Sequence, residues 1–275
     1  MKWTSAICSA GKKLRAASPS SARYLQRQKS DPFVKGRKSA PALGNALQDG
    51  PYRSRSAFKL LQLNERFNIL QASSEAKAGR PRVIVDLGAA PGGWTQVAVQ
   101  ACATTARPPS KSTLSPCRLF ALDILPMDPI QGATVLQGDF LDSKVQDELR
   151  RQVLAASSTS LPLGEKENSA EGAGCDGFVD VVLSDMMANT TGNPIRDTVL
   201  SLDLVTAAFQ FASSTLSRQP SSWFVSKVFP SADSDEFLRL TLKQRFDHVS
   251  IVKDKITASR KESREVFWVA KGFRG

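Results

Sequence analysis

The sequence predicts an α/β fold built on a mainly parallel sheet with helices on both faces. Three observations point there. Short apolar runs alternate with amphipathic stretches from residue 56 to the C-terminus. A glycine-rich turn, Gly88-Ala89-Ala90-Pro91-Gly92-Gly93, follows the first of these runs. Acids stand at the ends of three later runs: Asp123, Asp139 and Asp185. Such alternation places parallel strands in one layer with helices packed above and below.

The elements follow in order. Ser56 is expected to cap a helix whose buried side is Phe58, Leu61, Leu63, Phe67 and Leu70, with Lys59 emerging from its first turn. Val83–Leu87 is short and apolar enough for a buried strand, and Trp94–Ala103 reads as the helix after the turn. Leu119–Asp123 and Thr134–Asp139 are the next strands, followed by a helix over Lys144–Ala155. Phe178–Leu183 is the fourth strand, Leu200–Leu216 a long helix and Ser222–Val228 the fifth strand. Asp235–Phe246 reads as a helix, and His248–Val252 and Glu265–Ala270 as the last strands. Two polar stretches, near 104–117 and 156–176, break the alternation and read as flexible surface insertions.

The charge distribution separates an arm from a body. The 275 residues carry a formal charge of +11. Residues 1–55 hold twelve Lys or Arg against two acids, and the rest is close to neutral. A basic arm suits a polyanion. Residues 1–22 are also serine-rich and acid-free, which fits a mitochondrial transit peptide. Residues 23–50 then form a basic extension and 51–275 one domain. No apolar run approaches the roughly 20 residues of a membrane span, so a soluble chain is expected. The four cysteines form no Cys-x-x-Cys pair and His248 is the sole histidine, so neither zinc nor a disulfide framework is expected. Plain thiols in a reducing compartment are the expectation.

The turn is a nucleotide-binding arrangement in which glycines let the backbone approach a ligand. It departs from the Gly-x-Gly-x-x-Gly of dinucleotide enzymes. Pro91 also removes an amide that a pyrophosphate would use. S-adenosylmethionine has no phosphate and tolerates that loss. Gly88, Pro91, Gly92, Gly93 and Trp94 are therefore candidate cofactor residues. Asp123 would accept from the ribose hydroxyls, Asp139 would reach the adenine amino group, and Asp185 would lie near the sulfonium.

Methyl transfer to a ribose 2′-hydroxyl needs an in-line nucleophile and a group that takes or shares its proton. A lysine can do so when burial or a second cation loosens its own proton. Lys227 ends an apolar strand, Lys59 can supply the second charge, Asp185 can orient Lys227, and Glu265 can fix either lysine. Taken singly, Lys59, Lys227 and Glu265 each read as an ordinary surface residue.

The motifs Asp86–Trp94, Leu136-Gln137-Gly138-Asp139-Phe140, Ser184-Asp185-Met186 and Ser263-Arg264-Glu265-Val266 resemble the FtsJ/RrmJ family of ribose 2′-O-methyltransferases. The resemblance covers roughly residues 50–273. It implies a Rossmann-like, S-adenosylmethionine-dependent methyltransferase fold with a seven-stranded sheet and one antiparallel strand. It also implies a Lys-Asp-Lys-Glu tetrad at Lys59, Asp185, Lys227 and Glu265, with Lys227 as proton acceptor. Ser21–Gln28 and Asp31–Lys35 resemble the mitochondrial branch, which implies a uridine of large-subunit ribosomal RNA as target and a role in ribosome assembly. A tRNA or mRNA-cap methyltransferase of the same fold, or a non-catalytic assembly factor, is the alternative. A monomer is expected, and Tyr52 or Phe229 is the candidate aromatic for a target base. Met187-Ala188-Asn189 departs from the family's Ala-Pro-Asn, Ser231-Ala232 from its Gly-Glu, and residues 253–259 lack its proline.

Overall fold

A computed structural model describes residue 26 and residues 52–71, 81–105, 117–158, 177–189, 191–253 and 265–275. The expected transit peptide and most of both insertions lie outside these residues. The elements are α1 (Ser56–Phe67), β1 (Arg82–Leu87), α2 (Gly93–Thr105), β2 (Cys117–Asp123), β3 (Ala133–Gln137) and α3 (Ser143–Ser158). They continue with β4 (Val181–Ser184), α4 (Pro194–Thr215), β5 (Trp223–Val228), α5 (Ala232–Phe237), α6 (Lys243–Arg245), β6 (Phe246–Lys253) and β7 (Val266–Phe273).

The seven strands form one sheet in the order β3-β2-β1-β4-β5-β7-β6. β1 to β5 pair in parallel, while β7 runs antiparallel to both β5 and β6. β1 is buried along its whole length, as a central strand covered on both faces must be. One face packs on α1 and α2 through Leu60, Leu63, Trp94 and Val97. The other packs on α3, α4 and the turn after α5 through Leu149, Val153, Phe211 and Leu238. Chain order reverses at β1, between β2 and β4, so the ends of these strands open the crevice where such sheets bind ligands.

Several elements differ from the sequence reading. Ser56 opens α1, but Arg55 is its N-cap and no side chain caps it. The buried side is Ala57, Leu60 and Leu63, with Phe58, Leu61 and Phe67 only partly buried. The small Ala57 lets α1 approach α2 closely, which rotates the larger residues outward. α4 begins at Pro194, because Asn193 accepts from the N–H groups of Ile195 and Arg196 and proline suits the first turn. The helix expected over 235–246 is split by one π turn at Leu238–Leu242, and Phe246 already belongs to β6. Strand β2 starts at Cys117 and α2 runs to Thr105, so both take residues from the first expected insertion. That overlap brings Cys102 and Cys117 together as a disulfide with Cα atoms 6.0 Å apart, correcting the expectation of plain thiols.

Asp180 ties three strands at the edge opposite the crevice. Its Oδ2 accepts the Val83 N–H at 2.8 Å. Its own N–H donates to the Val83 carbonyl, and its carbonyl accepts from the Trp223 N–H. Asp180→Ala leaves the Val83 N–H unsatisfied in the interior and is expected to cost about 1–3 kcal/mol in urea unfolding. An unchanged midpoint would show that this carboxylate holds nothing.

Candidate active site

Side chains alternate along strands, so the register fixes which residues share a face. Lys227 pairs with Phe267 across β5 and β7. Leu183 pairs with Val225 across β4 and β5, and both pack in the core on the α1–α2 side. Asp185 and Lys227 each lie two residues beyond that pair and Glu265 two before Phe267, so all three point to the α1 side. Lys59 comes down from the first turn of α1 onto the same face. Its Nζ lies 5.6 Å from the centre of the Phe267 ring, which is itself 5.7 Å from the Trp94 ring.

The four charges form two ion pairs. Lys227 Nζ donates to the Asp185 carbonyl at 2.7 Å and to Asp185 Oδ1 at 2.8 Å. Lys59 Nζ is paired with Glu265 Oε1. Exposure of these side chains is 8–15 %, so water competes little for them. Two of the Lys227 amine directions are taken by Asp185. The remaining tetrahedral direction is a lone pair in the neutral amine and an N–H in the ammonium, so it can accept a hydroxyl proton or support an oxyanion. Phe267, which the sequence reading did not single out, spaces the pairs by lying under Lys59 and opposite Lys227. Its signal was its position two residues past Glu265.

The expected cofactor residues divide. Gly88 and Gly92 have φ of +75° and +113°, values that only glycine adopts readily. A Cβ on Gly88 would also strike the Met186 backbone at 2.7 Å, so this glycine seats the turn against the segment carrying Asp185. Gly93 instead makes room for Ser54 and Ala57. Pro91 lends its carbonyl to Arg53, which also donates to the carbonyls of Asp128 (2.7 Å) and Pro129 (3.0 Å), fastening the segment after β2 to the turn. Trp94 is 2 % exposed and donates its indole N–H to Ser56, so it locks α2 to α1 and offers the site no side-chain contact. Asp139 is exposed just past β3, with Oδ1 accepting from Leu141 N–H. Tyr52 is also committed, donating to Gln100 at 2.7 Å and meeting Phe58 edge-on.

Acid accumulates at the crevice. Asp123 accepts from Ala90 N–H and Leu125 N–H, bridging the turn to the end of β2. Burial raises its pKa, those N–H groups lower it, and the charge of Asp185 raises it again. Asp86, missed as a site residue, is fully buried below the turn with Oδ2 accepting from Thr95. Its Oδ1 is buried without a hydrogen-bond partner. Burial drives its pKa to about 7, the Thr95 bond opposes that, and the charges of Asp185 and Asp123 add to it. An under-satisfied acidic crevice with little phosphate-cradling backbone fits a ligand that carries positive charge and lacks phosphate. S-adenosylmethionine, with its sulfonium and ammonium groups, is such a ligand. Asp123 and Asp185 would hold it, with the buried Asp86 adding negative charge from below the turn, and it supplies a methyl group on a cationic sulfur.

Fold, turn and acids together define a Rossmann-like methyltransferase that uses S-adenosylmethionine. The chain belongs to the FtsJ-like methyltransferase family, whose model matches residues 52–273. Its relatives include proteins named ribosomal RNA large subunit methyltransferase E. That of Paramagnetospirillum magneticum is 40% identical and covers 93% of this chain and 84% of its own. That of Marinobacter nauticus is 38% identical, with 94% and 99% covered. That of Acidiphilium cryptum is 36% identical, with 96% and 91% covered. Among solved structures, a ribosomal RNA methyltransferase from Plasmodium falciparum superposes with a TM-score of 0.60 at 23% identity, covering 82% of this chain and 100% of its own, which bears out the fold.

A cation held by Asp123 and Asp185 lowers the pKa of the buried Asp86 through space, so binding releases a proton near neutrality. The raised value means the carboxyl is protonated below pH 7 and ionised above it. Donor affinity is therefore expected to rise about tenfold from pH 6 to pH 8. Calorimetry in buffers of different ionisation enthalpy measures the proton released. Asp86→Asn should flatten the profile, and an equally flat wild-type profile would remove Asp86 from the site.

Proposed function

We propose that this chain methylates the 2′-hydroxyl of a uridine in mitochondrial large-subunit ribosomal RNA, using S-adenosylmethionine, and thereby takes part in ribosome assembly. The observation that carries the reading is that Lys227 pairs with Asp185 and Lys59 with Glu265 on the face of the sheet that carries α1. A ribose hydroxyl brought to Lys227 can hand over or share its proton while Asp185 holds the amine in place. Lys59 adds positive charge beside the developing alkoxide, and Glu265 fixes Lys59. The names of the bacterial relatives support ribosomal RNA as substrate, and the basic arm over residues 1–55 suits a phosphate backbone. The acid-free residues 1–22 support import into the matrix.

Lys227→Ala is expected to lower kcat by at least ~100-fold, with donor and RNA affinity nearly unchanged. Retained turnover would take Lys227 out of the chemistry.

Mapping ribose methylation in organellar and cytosolic large-subunit RNA, with and without the protein, tests the substrate. One organellar uridine should lose its methyl group, whereas a loss confined to tRNA or cap structures would replace this reading. Localisation of the full chain and of a chain lacking residues 1–22 tests import. The Acidiphilium match spans 96% of the chain and so reaches into those residues. An import signal there overlaps a segment that a bacterial protein also carries, which makes the truncation informative. Cytosolic residence of the full chain would end the matrix assignment.

A further inference from the structure

We propose that the nucleobase of the nucleotide being methylated packs against the shallow concave surface beside Lys227 formed by Met186, Met187, Ala188 and Phe229. This deepens the reading above and rests on it. Lys227 itself lines the concavity, together with Asp197 and Ser201 of α4. In a nucleotide the base and the 2′-oxygen are borne by adjacent ribose carbons. A 2′-oxygen at Lys227 Nζ therefore leaves the base beside that amine. The crevice side is taken by the donor turn, since Gly88 lies against Met186. The concavity near the start of α4 is one that Lys227 itself lines.

Its surface chemistry suits a flat neutral ring. Methionine thioethers and an aromatic ring offer polarizable contacts that tolerate any base face. Phe229 is anchored from behind, where its N–H donates to Ser201 Oγ at 3.1 Å. Met187, Ile195 and Val199 stay about half exposed or more, at 50%, 77% and 47%, on the post-β4 segment and the first turns of α4. A phosphate is poorly suited. Asp197 accepts from Thr191 N–H and Oγ1 and from Gly192 N–H. The Thr191 N–H chiefly holds its pKa below the usual carboxylate value, so the rim carries a negative charge. RNA phosphates then contact other surfaces, and the base turns inward.

Photocrosslinking tests this directly. Large-subunit ribosomal RNA transcribed with 4-thiouridine is bound to the full chain with S-adenosylhomocysteine and irradiated, and the adducts are mapped by mass spectrometry. Adducts within Met186–Ala188 or at Phe229 are expected. Adducts confined to other segments overturn the assignment. Methyl transfer to the same RNA by the wild-type chain separates the two failures. Transfer with adducts elsewhere removes only the base contact, and no transfer with adducts elsewhere removes both readings. Phe229→Leu and Met187→Gln should each raise the KM for RNA about tenfold while S-adenosylhomocysteine affinity holds. An unchanged KM in both variants also overturns the assignment.

Discussion

Because β7 runs against its neighbours, its first residues lie beside the last residues of β5, and a glutamate preceding β7 arrives where a lysine ends β5. A parallel strand there would put its N-terminal end at the opposite edge of the sheet. The crevice at the reversal between β2 and β4 positions the donor, but it supplies only carboxylates from β1, β2 and β4. Cations have to come from β5 and from α1, and β7 fixes the second of them through Glu265 and Phe267. Residues far apart in sequence thus become neighbours through one strand direction and a two-residue side-chain period.

The charges at the crevice suit one kind of ligand better than another. The two lysines are each matched by one carboxylate, which leaves Asp86 and Asp123 in excess at the crevice. That excess suits a cationic donor and repels a polyanion. A phosphate backbone approaching this edge needs attraction from elsewhere, and the arm over residues 1–55 holds twelve of the chain's 37 basic residues against two of its 26 acids.

Much of this was legible in the sequence, and the illegible parts share a cause. Strands β1, β2, β4 and β5 were readable because a strand buried on both faces is nearly all apolar. Lys227 and Asp185 followed from those strands, since each stands at or just past the end of one. Asp86 was passed over because an acid inside an apolar run gives no hint of how fully it is desolvated. Trp94 and Gly93 sit in a motif that points to a ligand, yet both serve the contact between α1 and α2, a tertiary fact that no spacing reveals. The Cys102–Cys117 pair depended on where α2 ends and β2 begins, and element ends are the hardest boundaries to read. The start of α4 had a usable signal in Asn193-Pro194, overlooked because the first turn is polar.

Buried ion pairs are weak evidence for stability, since desolvating two charges offsets much of their attraction. The two lysine–carboxylate pairs here sit at strand ends beside the crevice, where apolar residues of like volume would pack at no such cost. Their presence is therefore better explained by position than by folding energy. The same holds for the way α1 is attached. The Arg53 N–H donates to Gln96, the Trp94 indole to Ser56, and the Arg53 guanidinium to the Pro91 carbonyl. Three bonds from two adjacent elements bind the segment carrying Lys59 to the turn that approaches the donor. Gly88 against Met186 in turn seats that turn on the segment carrying Asp185, so both lysine–carboxylate pairs are fixed to one frame.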